Sequence, residues 1–125
     1  MNYQSAAASY NVVRNHSGVE NATPHQLIEM LFEGLLERIS QAKGAMQYKN
    51  IELKGRKINS AIGIVNGLRE NLNKEDGGEI SENLDALYVY ILGILAKAHT
   101  HNDQALLDEA SVLIGNIHSA WKQIG

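Results

Sequence analysis

The sequence predicts an all-α protein, an antiparallel four-helix bundle preceded by a short N-terminal arm. Apolar residues recur at spacings of three and four over four stretches of roughly 20 residues each, which is the spacing of one helix face. The breaks between these stretches are short and polar, so each helix should lie beside its predecessor. The 125 residues include one proline and one phenylalanine, whereas an all-β fold needs many turn residues and aromatic strand residues.

The N-terminal arm differs in composition from the rest of the chain. Residues 1–22 are rich in Ala, Ser and Asn and contain one Glu and one Arg. A helix of under about 12 residues is marginal on its own in water, so this segment needs a surface to lie on. We therefore predict two parts, an arm over residues 1–22 and a bundle over residues 23–125.

The first helix begins at Thr23 and Pro24. Thr23 is a capping residue, Pro24 suits the first helical position, and Gln26 can complete a capping box. The helix should end near residues 48–50. Its predicted inward residues are Leu27, Leu31, Leu35, Ile39, Ala42 and Met46.

The other three helices are predicted over residues 51–73, 79–98 and 104–124. A turn should separate the second from the third at Gly77 and Gly78, because paired glycines accept a positive φ where a helix stops. The predicted inward residues of the second helix are Ile51, Ile58, Ala61, Ile62, Val65, Leu68 and Leu72. Those of the third are Ile80, Leu84, Leu87, Ile91, Leu95 and Ala98. Those of the fourth are Leu106, Ala110, Leu113, Ile117, Ala120 and Ile124.

Several large apolar residues fall outside these inward faces. On the second helix, Leu53 and Ile64 lie more than about 100° from the core stripe. On the third helix, a second stripe of Val89, Leu92 and Ala96 lies on an uncharged stretch. No helix of a four-helix bundle is surrounded by its own chain, so part of this apolar surface should be exposed and mark an interaction site. Three interpretations remain open: a groove for a partner, a surface permanently covered by the arm, and a homodimer interface.

Composition excludes several other functions. The chain has no cysteine and a net charge of −3, with its Lys and Arg residues spread singly, which argues against thiolate chemistry and against nucleic-acid binding. No apolar stretch reaches the roughly 20 residues of a membrane span, and the N-terminus lacks the pattern of a secretory signal, so we expect a cytoplasmic protein without membrane insertion. His99, His101 and Asp103 form a weak metal-ligand pattern that is more typical of a solvated loop. We predict no enzyme activity, catalytic residue, metal or cofactor.

Four segments together resemble the flagellar secretion chaperones, the flagellin export chaperones of bacteria. Tyr3-Gln4 and Ala8-Ser9-Tyr10 lie in the arm, and the stretch from Thr23 to Gly34 (TPHQLIEMLFEG) opens the first helix. Gly77-Gly78-Glu79-Ile80 precedes Asn83-Leu84, Leu87-Tyr88 and Tyr90, and Ala120-Trp121-Lys122-Gln123-Ile124 ends the chain. These segments keep the order and spacing of the family over nearly the whole sequence.

The resemblance implies a function for the apolar surface. It implies a non-enzymatic bundle that binds the disordered C-terminal segment of flagellin, prevents its premature polymerisation, and docks on the cytoplasmic domain of the membrane protein of the flagellar type III export gate. It also implies that the arm lies over the groove when flagellin is absent, and that Tyr10 contacts the gate. The alternative function is a structural helical homodimer or an interaction module without a secretion client.

The predicted partner-binding residues lie in the arm and on or beside the outward edges of the second and third helices. They are Tyr3, Tyr10, Leu53, Ile64, Leu68, Leu84, Leu87, Tyr88, Ile91 and Leu92. Trp121 is predicted to close one end of the bundle.

Overall fold

The computed structural model describes residues 21–124, and that part of the chain contains four α-helices and no strand. The helices are α1 (Pro24–Gln47), α2 (Ile51–Glu70), α3 (Lys74–His101) and α4 (Gln104–Gln123). Short links of two or three residues turn each helix back beside the one before it. The predicted all-α bundle is confirmed, whereas the arm predicted over residues 1–22 lies almost entirely outside the described residues.

The start of α1 has the predicted capping box. The Thr23 hydroxyl accepts a hydrogen bond from the Gln26 amide at 3.1 Å, and the Gln26 side-chain oxygen accepts one from the Thr23 amide at 2.9 Å. Pro24 occupies the first turn, where its missing N–H leaves no bond unmade. The other three helices also begin at side-chain caps, which are Asn50, Asn73 and Asp103.

The paired glycines lie inside α3 and not before it. Asn73 caps a first helical turn, and Gly78 then leaves the helical region with φ 52° and ψ −127°. Gly77 has no room for a side chain, because a Cβ there would lie 1.9 Å from the Ser81 hydroxyl oxygen. That hydroxyl donates to the Asn73 carbonyl at 2.9 Å. The predicted break is therefore a kink within α3, and α2 ends at Glu70, three residues earlier than predicted.

The four helices form a ring around one core. α1 and α3 each pack against both α2 and α4, so α1 lies diagonally opposite α3. Each helix contributes at least one fully buried large side chain to the centre. These are Phe32, Leu31, Leu35, Ile39, Ile58, Ile64, Ile91, Leu95, Leu107, Ile114 and Val65.

Three isoleucines predicted to face the core are exposed instead. Ile51 and Ile80 are each 72% exposed and Ile124 is 74% exposed. Each lies at a bundle end: Ile51 is the first residue of α2, Ile80 follows the kink of α3, and Ile124 comes after the last turn of α4. Ile51 and Ile80 lie on the same helix faces as the buried Ile58 and Ile91, but they are beyond the reach of a neighbouring helix.

The inward face of α4 is rotated from the predicted one. Its buried residues are Leu107, Ala110, Ile114 and His118, whereas Ala120 is exposed. The predicted Leu106, Leu113 and Ile117 are half-buried on the flank of the core. Two adjacent apolar stripes run along this helix, and the structure centres the one that brings His118 inside.

Candidate functional site: an apolar surface on α2 and α3

An uncharged apolar stripe runs along the outside of α3. Val89 is 48% exposed, Ala96 is exposed and Leu92 is half-buried, as the sequence predicts for this second stripe. The exposed Ala86 and Gly93 extend it. These five residues, called the α3 outer stripe below, span about 16 Å of helix at 1.5 Å per residue. The stripe offers side chains at the spacing that a partner helix would need.

One end of α3 is fixed to α2 by a buried lysine. Lys54 is 4% exposed, and its ammonium donates to the His99 carbonyl at 3.1 Å and to the side-chain oxygen of Asn102. Asn102 closes α3 in the left-handed conformation with φ 51°. A cation at a helix C-terminus is stabilised by the helix dipole and by the unpaired carbonyls there. Lys54 lies one turn before Ile58 on the core stripe of α2. This position indicates a buried lysine, and the sequence analysis did not recognise it.

An ion pair joins α2 to α3 toward the other end. The Arg69 Nε donates to an Asp85 carboxylate oxygen at 2.7 Å, and the Lys74 ammonium lies 3.5 Å from the second oxygen. The hydrogen bond from Arg69 lowers the pKa of Asp85. The side chains of Arg69 and Asp85 are 33% and 20% exposed, so water screens the pair and its contribution to stability is about 1 kcal/mol at most.

A partly exposed apolar surface lies between these two contacts. Lys54 of α2 lies opposite the C-terminus of α3, and Arg69 of α2 lies opposite Asp85 of α3. Since the two helices are antiparallel, Ile62 of α2 then lies opposite Leu92 of α3. Both side chains are half-buried and pack against the core. We call this surface, with the α3 outer stripe beside it, the α2–α3 groove.

The ten predicted partner-binding residues do not converge on this groove. Tyr3 and Tyr10 lie outside the described residues. Four others are half-buried, namely Leu53, Leu84, Leu87 and Leu92. The remaining four are buried, with Ile64 1%, Leu68 3%, Tyr88 3% and Ile91 0% exposed. Of the eight described residues, Leu92 is the member of the α2–α3 groove.

The expectation that Ile64 lies on an outward edge is wrong. Ser60 accepts a hydrogen bond from the Arg38 guanidinium of α1 at 3.2 Å. Ile64 follows Ser60 by one turn and Leu53 precedes it by two, so both lie on the edge of α2 that faces α1. A helical-wheel projection of α2 places these residues outside its main core stripe. It does not show that a second neighbouring helix, α1, covers that side.

The two tyrosines of α3 lie on different sides of the helix, as predicted. Tyr88 is buried, and this burial raises its pKa to about 12. Tyr90 is 50% exposed, and its hydroxyl donates to the Glu109 carboxylate of α4. This hydrogen bond raises the pKa of Tyr90. Tyr88 supports the groove from beneath, whereas Tyr90 connects α3 to α4.

The three residues considered as a weak metal pattern have separate structural positions. Asp103 accepts from the Ala105 amide at 3.0 Å as the cap of α4. His101 is exposed, and the His99 ring lies against α2, where a Cβ on Gly55 would be 3.4 Å from it.

Trp121 closes the end of the bundle where α1 begins and α4 ends, as predicted. Its indole N–H donates to the His25 carbonyl at 3.0 Å, and its ring stacks on the His25 imidazole with centroids 4.4 Å apart. Nearby, sequence analysis missed a group of three side chains, Glu29, Glu33 and His118, whose ligand atoms all lie within 4.8 Å of one another. It was missed because the predicted face of α4 left His118 outside.

None of the helices within residues 21–124 combines the length and the hydropathy needed to cross a lipid bilayer.

The fold and its outer stripe define a class, a four-helix bundle with an uncharged apolar stripe on the outside of one helix. The family model described as "Flagellar protein FliS" matches residues 6–125. A protein of Pseudomonas aeruginosa named flagellar secretion chaperone FliSB is 47% identical over 119 residues, covering 95% of this chain and 94% of that protein. The flagellar secretion chaperones FliS of Vibrio cholerae and Salmonella typhimurium are each 40% identical, over 93% and 96% of this chain and 85% and 90% of their own lengths. The chain belongs to the FliS family.

Proposed function

We propose that this chain is a cytoplasmic, non-enzymatic export chaperone that binds the disordered C-terminal segment of flagellin. It prevents premature polymerisation of flagellin and delivers it to the flagellar type III export gate. The observation that carries this proposal is family membership, with relatives named flagellar secretion chaperones that align over nearly their full length.

The α2–α3 groove supplies a physical mechanism for client binding. Val89, Leu92 and Ala96 follow each other at intervals of three and four, so an amphipathic client helix can align its own apolar stripe with them. The small residues Gly93 and Ala96 let the client backbone come close. Ordering a disordered segment reduces the net affinity for a given contact area, so the contact should extend well beyond this stripe.

The predicted contact residues divide into two groups in this mechanism. Leu53, Leu84, Leu87 and Leu92 offer part of their surface to a client without rearrangement. The buried Ile64, Leu68, Tyr88 and Ile91 would act by holding the helices that form the surface. The extended contact proposed here would run from Leu53 on α2 to Leu84, Leu87 and Leu92 on α3.

The arm completes the proposal. Residues 1–22 would cover the groove in the absence of the client, and Tyr3 and Tyr10 would contribute to this cover. Tyr10 would then contact the cytoplasmic domain of the gate protein once the client has displaced the arm. A chain without residues 2–19 should stay folded and bind the client at least as tightly as the full chain. Loss of the folded state would contradict this role and show that the arm belongs to the core.

The direct test is a calorimetric titration of the full chain with a peptide of the C-terminal segment of flagellin. A saturable heat with one peptide per chain, in the micromolar range or tighter, is the expected result. No heat and no co-elution at about 100 μM peptide would reject the proposal. Sedimentation of the chain alone tests the alternative, a structural homodimer. A tight homodimer that does not bind the peptide would assign the α3 outer stripe to contact with a second copy.

A further inference from the structure

We propose that Glu29, Glu33 and His118 form a binding site for a divalent transition-metal ion such as Zn²⁺, independent of client binding. Glu29 and Glu33 are one turn apart on α1, and His118 reaches them from α4. One ligand atom from each side chain lies within 4.8 Å of the other two. The imidazole Nε2 is 3.9 Å from a Glu29 carboxylate oxygen.

The state of His118 is an independent indication of a ligand. The residue is 9% exposed, and its Nε2 is buried without a hydrogen-bond partner among residues 21–124. A buried polar atom left without a partner is costly, and native structures usually supply one. At 3.9 Å the Glu29 oxygen is too far to accept a normal hydrogen bond. An ion between these atoms would give Nε2 a partner and neutralise the two carboxylates.

The ring of His118 is held in place for this role. It stacks on Phe32 with ring centroids 5.6 Å apart and an interplanar angle of 26°. Phe32 is itself 1% exposed and is fixed in the core. The site is therefore built on two packed helices with one rigid ligand, which lowers the entropy lost when an ion binds.

The spacing and chemistry of the three ligands suit a transition metal. Zn²⁺ takes imidazole nitrogen and carboxylate oxygen at about 2.0–2.2 Å, so two ligands of a tetrahedral ion lie about 3.3–3.5 Å apart. The observed 3.9 Å is within reach of that separation after a small rotation of one carboxylate. Glu33 is exposed and can make the larger adjustment. The fourth position would remain open to water, and one imidazole with two carboxylates disfavours Mg²⁺ and Ca²⁺, which prefer oxygen ligands alone.

Metal binding would connect the ends of two helices that are far apart in sequence. His118 lies three residues before Trp121, whose indole contacts His25 on α1. The chain has one tryptophan, so its fluorescence reports this end of the bundle specifically. An ion that binds the folded form alone also raises the thermal midpoint in proportion to the logarithm of its concentration.

The test uses the full chain without an affinity tag, titrated with ZnCl₂. Equilibrium dialysis with elemental analysis counts ions, while Trp121 fluorescence and the thermal midpoint follow binding. One ion per chain and a rise of several degrees in the midpoint at about 100 times the dissociation constant are expected.

Glu33→Gln should weaken binding at least about 10-fold, because it replaces a charged ligand. Glu37→Gln is the matched control, since Glu37 lies one turn further along α1 and accepts from Gln41 at 3.2 Å; it should bind as wild type does.

His118→Asn should abolish the tight site, and Glu29→Gln should weaken it as Glu33→Gln does. If His118→Asn does not fold, the two glutamine variants decide the question, because their side chains are not core residues. Zinc bound with wild-type affinity by both glutamine variants would overturn the proposal by placing the ion elsewhere. A thermal midpoint unchanged at about 1 mM zinc would overturn it as well.

Discussion

A charge on the α3 outer stripe gives the sharpest test of the α2–α3 groove. Val89 is 48% exposed, so Val89→Asp changes a side chain whose outer half faces solvent. Valine and aspartate have similar helix propensities, and an exposed substitution usually alters the free energy of unfolding by less than about 0.5 kcal/mol. The variant should therefore fold normally and affect the groove alone.

The loss of client affinity follows from two contributions. Full burial of a valine side chain is worth about 1.5–3 kcal/mol, so covering the exposed half of Val89 contributes about 1 kcal/mol. An aspartate covered by an apolar client adds the cost of an unpaired buried charge, about 1–3 kcal/mol after partial solvation. The sum of about 2–4 kcal/mol predicts client binding that is roughly 30- to 1,000-fold weaker.

The assay is calorimetry with the flagellin peptide, and Val112→Asp is the matched control. Val112 is 63% exposed on α4 and carries the same chemical change on a helix that does not line the groove. It should retain wild-type affinity within about 2-fold. Equal affinities for Val89→Asp and wild type would refute the placement of the client on α3. Equal losses in both variants would show that net charge, and not the groove, sets the affinity.

Three further changes test the structure that supports the groove. Lys54→Ala removes the buried cap of α3 and should lower the free energy of unfolding in urea by about 2–4 kcal/mol, whereas the exposed Arg56→Ala should change it by less than about 0.5 kcal/mol. Burial raises the pKa of Tyr88 from its ordinary 10.0 to about 12. The unfolded chain therefore releases this proton first, so stability present below pH 10 is lost between about pH 10 and 12, and Tyr88→Phe should remove that part of the loss in alkaline denaturation. Within the described part of the chain, a Cβ on Gly93 meets nothing within 4 Å, so Gly93→Ala should raise the thermal midpoint through a gain of up to about 1 kcal/mol.

Helix positions and directions were predictable from the sequence because they depend on local spacing. The capping box at Thr23 and the start of α4 at Gln104 match the prediction. Exposure at the bundle ends was not predictable in this way. Ile51 and Ile80 have the right direction for the core, but their burial depends on how far the neighbouring helices extend. That distance is a property of the tertiary structure and leaves no periodic signal.

The apolar surface was predictable in part. The stripe of Val89, Leu92 and Ala96 was visible because it lies opposite a complete inward stripe on the same helix. Ile64 was misplaced because α2 has two neighbours, and the side away from the core stripe faces α1. Some residues have roles that depend on a partner far away in sequence, as Lys54 of α2 does on His99 of α3. The spacing of apolar residues alone does not predict such contacts.

The composition of the α3 outer stripe resolves two opposing demands on an exposed apolar surface. A stripe of large side chains would bind a client strongly, but it would also promote association between copies of the free chain. Ala86, Gly93 and Ala96 keep the exposed apolar area small while leaving the stripe without charge. In the proposed mechanism they would also allow a client helix to approach the α3 backbone closely, so that dispersion contacts along the helix would replace the area that large side chains would have supplied. Specificity for the proposed client would then depend on the shape of the approaching helix more than on its hydrophobicity.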